Sequence, residues 1–373
     1  MQVLIVNPGS STLKLAVLDP ADDVVDEHDV PSEEGRAETE EIERFLARAP
    51  AVAAAGVRLV HGGTAFRQST LVDTDVLERL EQVADLAPLH NPPALTAVRA
   101  VQRLRPGLPL AACFDTAFFA RLPPASATYA LPRRWIDQWG IRRFGFHGLS
   151  HAYASRRATQ LLGRAAEDQL RLVTCHLGAG ASLAAVAGGA PVDTTMGFTP
   201  LDGLVMATRS GSVDPGALIW VQRHGKLTVD DVEVALERES GLLGLSGFSG
   251  DMRQVLEAAD HGDERSQLAL AVYIHRLRAG VAAMAAAMGG LDAIVFTGGV
   301  GENAPRVREQ TCSALGFLGV TLDPRRNTDG GSNDRDIAAD GSGTRVLVVG
   351  SREDREIARE VRRLVTRRSE FST

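Results

Sequence analysis

At 373 residues the chain exceeds the size at which one hydrophobic core usually stops growing, so two domains are expected. Hydrophobic residues make up 44% and charged residues 23%, which excludes a disordered or fibrous protein, and the low aromatic share of 5% reflects alanine at apolar positions. The net charge of −7 argues against nucleic acid or an anionic membrane as main partner and means that an anionic substrate must meet a local cationic pocket.

The chain opens with a strand-like run, Val3 to Val6, without a basic leader segment, so a cytoplasmic protein is expected. It leads into Asn7-Pro8-Gly9-Ser10-Ser11-Thr12-Leu13-Lys14, which offers an amide, three hydroxyls, a flexible backbone and an ammonium. That donor set suits phosphate oxygens; a plain hairpin with solvated polar residues is the alternative. The acidic stretch 33–48 reads as a solvated helix. In Val57-Arg58-Leu59-Val60-His61-Gly62-Gly63 an arginine interrupts an apolar run, and burying it is costly unless an anion meets it. A helix is predicted over 92–105 and a strand over 172–175, the latter ending in the glycine-rich turn Leu177-Gly178-Ala179-Gly180-Ala181-Ser182. Arg209, in Ala207-Thr208-Arg209-Ser210-Gly211, supplies a second guanidinium fork.

Further along, a helix is predicted over 268–288, and no apolar run reaches the roughly 18 residues of a membrane span. The nearest approach, 279–290, reads as a packed core helix. A strand over 293–296 ends in Thr297-Gly298-Gly299-Val300-Gly301-Glu302-Asn303, where Asn303 has the look of an N-cap and Pro305 of an early helical residue. Residues 326–343, rich in Gly, Asp, Asn and Ser, read as a surface loop. After a strand over 346–349, Ser351-Arg352-Glu353-Asp354 has the form of a capping box. Short apolar strands separated by helices point to α/β sheets covered on both faces. Cys113, Cys175 and Cys312 are widely spaced and suggest neither a disulfide framework nor a zinc site, in keeping with a reducing compartment.

Residues 3–17 can be laid over 172–186, both reading strand, polar residue, glycine turn, strand. Two such hairpins facing each other would present backbone N–H groups to phosphates from both sides. No G-x-x-x-x-G-K-[ST] loop and no protein-kinase signature set is present, so a nucleotide needs another grip. Arg58, His61, His90, Asp115, His147, His151, His176 and Arg209 all lie beside strand-like or glycine-rich segments and suggest convergence on one site. Paired arginines suit a phosphoryl group in flight, because they neutralise charge on its equatorial oxygens.

These segments, with Pro88 to Pro92, Phe114 to Phe118, Phe144 to Gly148, Asp193 to Pro200 and Gly241 to Gly247, resemble the acetokinases, the acetate and propionate kinase group of the actin, sugar-kinase and heat-shock ATPase superfamily. The resemblance runs over nearly the whole chain. It implies a duplicated actin-like (ribonuclease H-like) α/β ATPase fold with an interdomain active-site cleft. One domain would span 1–114, completed by a C-terminal helix over 355–373, and the other 115–354. It implies Mg²⁺-dependent (or Mn²⁺-dependent) reversible transfer of the γ-phosphoryl group of ATP to acetate, in a cytoplasmic homodimer with neither nucleic acid nor membrane as partner. Propionate is the alternative acceptor, and a catalytically silent nucleotide-binding paralogue is a third reading.

By matching positions, the resemblance gives Asn7 and Glu353 to the metal or its waters. Lys14, Ser10 and Thr12 would contact nucleotide phosphate. His176, Leu177, Gly178, Ala179 and Gly180, then Asp251, Met252 and Arg253, then Gly299, Val300, Gly301, Glu302 and Asn303 would bind the nucleotide. Arg58 and Arg209 would clamp the phosphoryl group, His147 would donate to it, and Asp115 would orient the site. Val60, Leu89, Phe146 and Pro200, beside Arg58, would form the pocket for the substrate methyl group. A carboxylic acid with a pKa of about 4 to 5 is already an anion at neutral pH, so no general base is needed and Asp115 reads as an orienting group. Three positions depart from the family pattern: Ala179 stands for Asn, Val57 for His and Thr12 for Ser. The segment after the first hairpin is also shorter.

Overall fold

The apolar runs become the central strands of two separate six-stranded sheets in a computed structural model that describes residues 1–9, 12–31, 37–88, 90–165, 168–331 and 334–370. In the first sheet β1 (Val3–Pro8), β2 (Thr12–Leu18), β3 (Val24–Pro31), β4 (Ala54–Leu59), β5 (Thr70–Leu71) and β6 (Leu110–Phe114) lie in the order β3-β2-β1-β4-β6-β5. The second comprises β7 (Arg171–Leu177), β8 (Ala181–Ala187), β9 (Ala190–Thr194), β10 (Ala293–Thr297), β11 (Arg335–Asp336) and β12 (Arg345–Val348), in the order β11-β12-β10-β7-β8-β9.

The two orders are the same when read from the hairpin outward. Parallel β1, β4 and β6 match parallel β7, β10 and β12, with antiparallel strands on either side. The α/β fold is therefore duplicated, as the internal repeat implied. Its ungapped alignment needs one correction: Asn7 pairs with Lys14 but His176 pairs with Ser182, so the second turn is one residue shorter and Lys14 corresponds to Ser182. Val57 pairs with Val6, which sets Arg58 beside Asn7; the second sheet has Thr297 beside His176 at that place.

Two compact units contain these sheets. The first holds Met1–Ala120, Phe146–Tyr153 and the described residues from Arg352 onward; the second holds Arg121–Gly145 and Ala154–Ser351. In the first, alternate strand residues face opposite ways. Leu4, Val6, Val57, Ala112 and Phe114 pack on Ile42, Phe45, Leu95 and Val98 from the helices Ala37–Arg48 and Asn91–Leu104. Val3, Ile5, Ala111 and Cys113 face Ile357, Ala358 and Val361 of the helix Glu353–Glu370. That helix comes so close to β4 that a Cβ at Gly56 would lie 2.5 Å from Ile357 Cγ2. The stretch read as a solvated helix is instead amphipathic, since Ile42 and Phe45 are buried.

In the second unit the helix Glu264–Ala287 packs on β7 and β8 and buries Tyr273, Ile274, Leu277 and Val281. Contrary to the sequence reading, it is long and apolar enough by length and composition to cross a membrane, alone in this among the described residues; its buried stripe marks a core helix. The surface-loop reading of 326–343 also fails. The helix Pro324–Thr328 and strand β11 occupy part of it, and Asn327, Ile337 and Ala338 are buried.

Candidate active site

Arg58 lies near the C-terminal end of β4 and Asp115 directly follows β6, so parallel neighbours bring them together. The guanidinium grips Asp115 through two bonds, Nε to Oδ1 at 3.1 Å and Nη2 to Oδ2 at 2.7 Å. Its Nη1 donates to Asn7 Oδ1 at 3.1 Å, and Asn7 Nδ2 donates to Glu353 Oε2 at 2.9 Å. Glu353 is also 3.5 Å from Arg58. Burial works against the Arg58 charge, but Asp115 and then Glu353 more than offset it and hold the guanidinium above its ordinary value. Burial lifts the Asp115 carboxyl, against the pull of Arg58.

His147 reaches this cluster through a left-handed backbone, φ 56°, uncommon for a residue with a side chain and frequent at functional sites. Its backbone hydrogen bond to Asp115 draws that carboxyl down. Gly148 is required by the same approach, because a Cβ there would lie 1.9 Å from the Asp115 carbonyl oxygen. Lys14 is exposed and opposite Asn7, on the same face of the hairpin. Thr12 closes the turn, its carbonyl accepting from Gly9 N–H at 2.8 Å. Val60 and Phe146 are buried, and Phe146 meets the His61 ring edge-on at 5.4 Å. Ser10 and Leu89 lie outside the described residues.

Asn91 escaped the sequence reading. Fully buried, it accepts from the His61 N–H at 3.2 Å and donates to the His61 carbonyl at 2.9 Å and to Val83 at 3.2 Å, fixing the loop that carries Val60. The one signal for it was its place in His90-Asn91-Pro92, at the start of a helix. His61 and His151 are fully buried, His61 accepting from Gly63 N–H at 2.8 Å and His151 packing edge-on against Phe119.

The remaining candidates gather in the second unit. A Cβ at Gly298, φ 78°, would lie 2.7 Å from the Leu177 carbonyl oxygen, so the two glycine-rich turns meet backbone to backbone. Ala179 O accepts from Ala207 N–H at 3.0 Å, which joins His176 through Gly180 to the loop bearing Arg209. Gly250 lies against Ala207 in turn and leads into Asp251, which caps the helix Met252–Asp260 by accepting from Arg253 N–H at 2.9 Å. Arg209 donates to the Pro200 carbonyl at 2.8 Å and stands 3.9 Å from Glu237. Burial pulls its pKa down, with Glu237 opposing. Asn303 is not an N-cap. It ends the short helix Gly298–Asn303 and donates to Gly299 O at 3.0 Å, and Ala304 precedes Pro305 as the cap.

The profile of the Acetokinase family matches residues 36–359. The chain belongs to this family. An acetate kinase of Gloeobacter violaceus is 54% identical over 85% of this chain and 78% of its own length. The crystal structure of Porphyromonas gingivalis acetate kinase superposes with a TM-score of 0.90 at 36% identity, over 98% of this chain and 99% of that one. A propionate kinase from Francisella tularensis gives 0.88 at 35%, over 96% and 98%. As an acetokinase the chain is a kinase using ATP and ADP. Its departures acquire surroundings: Val57 is fully buried in the core under the helices Ala37–Arg48 and Asn91–Leu104, where an imidazole would need partners, whereas Ala179 is exposed.

Proposed function

We propose that this acetokinase transfers the γ-phosphoryl group of ATP to acetate, reversibly, giving acetyl phosphate and ADP. The observation that supports it most is the Arg58 fork, its side chain 12% exposed, held by the buried Asp115 and by Asn7. In the forward direction a carboxylate oxygen forms a bond to the γ-phosphorus as the bond to the β,γ-bridging oxygen breaks, and ADP takes the electron pair. Acetate is already ionised, so nothing need remove a proton. Arg58 and Arg209 stabilise charge on the transferring group, His147 donates to it, and Asp115 holds the Arg58 plane in place. Lys14, Thr12, Ser10 and the turns at His176–Gly180, Asp251–Arg253 and Gly299–Asn303 serve the nucleotide. Val60, Phe146, Leu89 and Pro200 serve the methyl group.

Asn7 and Glu353 offer hard oxygen donors, and Mg²⁺ commonly takes one or two carboxylates plus phosphates, so the pair fits Mg²⁺ or Mn²⁺. The ion would neutralise phosphate charge. We read the two units as the two catalytic domains and the cytoplasm, where three buried free cysteines stay reduced, as the compartment. The helices Pro215–Gly225 and Val229–Arg238 bury no residue and expose Ile219, Trp220, Val221, Val229 and Val234, an apolar face suited to a second copy of the chain. A hydroxamate assay for acyl phosphate with acetate, propionate and butyrate in parallel tests the reading. Acetate should give the highest kcat/KM; a preference for propionate would move the acceptor, and no product with any acid would leave a silent nucleotide binder.

A further inference from the structure

Arg308, on the helix Pro305–Cys312, is 1% exposed and among the described residues forms no ion pair. Its hydrogen-bond partners are neutral oxygens. Nη1 donates to the carbonyls of Gly301 at 2.9 Å and Glu302 at 2.8 Å; Nε donates to Asn327 Oδ1 at 2.9 Å and Nη2 to Asn327 O at 2.7 Å. Asn327 is 2% exposed and completes the circuit by donating to Pro305 O at 3.0 Å. Burial draws the guanidinium down to about 10. A buried cation with only neutral partners is costly, and an apolar side chain would fill the same volume more favourably unless the fork were needed.

The need lies in Gly298–Asn303. Its last carbonyls lack helical partners, and three of its six residues are glycines, which hold no backbone conformation by themselves. Arg308 supplies both missing elements: donors for those carbonyls and a positive charge at the negative end of the helix. We propose that Arg308 and Asn327 form a positioning pair that sets the Gly299–Asn303 turn for the nucleotide without touching it, an inference that rests on the nucleotide role proposed for that turn.

The test compares wild type with Arg308→Lys, Arg308→Met, Asn327→Ala and the double variant Arg308→Lys/Asn327→Ala. ADP affinity by calorimetry, KM for ATP and for acetate, and thermal midpoints are measured for each. The single variants should weaken ADP binding and raise KM for ATP by about tenfold or more, as misplacement of a binding element does, while KM for acetate stays within about twofold. Arg308→Lys should retain more than Arg308→Met, and the double variant should be no worse than the poorer single, because the two residues act as one clamp. Unchanged ADP affinity in folded Arg308→Lys and Asn327→Ala would overturn the proposal, as would equal losses toward ATP and acetate. Should Arg308→Met fail to fold, the other two single variants decide. A wild-type protein that binds ADP but makes no acyl phosphate refutes the acceptor reading alone; one that binds no ADP refutes both.

Discussion

Arg58 and Arg209 present the same fork in different surroundings, so their loss should look different. Asp115 has a side-chain exposure of 1%, and removing Arg58 strands a buried carboxylate, at a cost of roughly 3 to 5 kcal/mol. Arg58→Ala should therefore lower the thermal midpoint as well as kcat. Glu237, 23% exposed and 3.9 Å from Arg209, can turn to water when its partner goes. Arg209→Ala should reduce kcat at least about tenfold with little change in melting, and a variant keeping more than that fraction has no transition-state clamp to lose. A second expectation concerns Ala179, whose exposure leaves room for a longer side chain. Ala179→Asn should raise kcat/KM for ATP by restoring a donor to a charged group, worth about 1.5 to 3 kcal/mol before compensation. Steady-state kinetics showing no gain mean that the turn has been rebuilt around alanine. At this scale Arg58 was legible because a charge inside an apolar run needs a reason. Asn91 and Arg308 were not, because their partners, backbone groups and for Arg308 also the Asn327 side chain, are brought near only by the fold.

The central strands could be read directly, since parallel strands buried on both faces become unbroken apolar runs. Turn length could not: an ungapped repeat hides the missing residue that puts Ser182 where Lys14 stands. Composition misled at 326–343 because it is local, while the burial of Asn327 is set by Arg308 nineteen positions earlier in the sequence. Gly56 is an element-scale requirement that looks ordinary in sequence. Gly56→Val would drive methyl groups into Ile357 and Val361, and overpacking of this kind costs about 1 to 3 kcal/mol. The expected result is a lower melting temperature with KM for ATP unchanged. An undisturbed melt would mean that the helix Glu353–Glu370 slides away at no cost.

At the scale of the molecule, the apolar face around Trp220 predicts self-association. Light scattering should find wild type dimeric and Trp220→Glu shifted toward monomer, and a monomeric wild type at micromolar concentration removes the homodimer proposal. The duplicated α/β plan was legible through the two matching hairpins, whereas the C-terminal helix of the first domain was expected from the family resemblance alone, because nothing in the composition of 353–370 announces which strands it covers, and the inclusion of Phe146–Tyr153 was not expected at all. That make-up inverts the order of birth and the order of completion. On a ribosome adding about 5 to 20 residues per second, β1, β4 and β6 appear early. Their face of Val3, Ile5, Ala111 and Cys113 then waits bare for Ile357, Ala358 and Val361. Arg121–Gly145 and Ala154–Ser351 are translated in that interval and can close their own core meanwhile. Strands β1, β4 and β6 are thus made before the second unit yet belong to a core that closes after it, and their sheet face stays unsealed while the whole of that unit is translated.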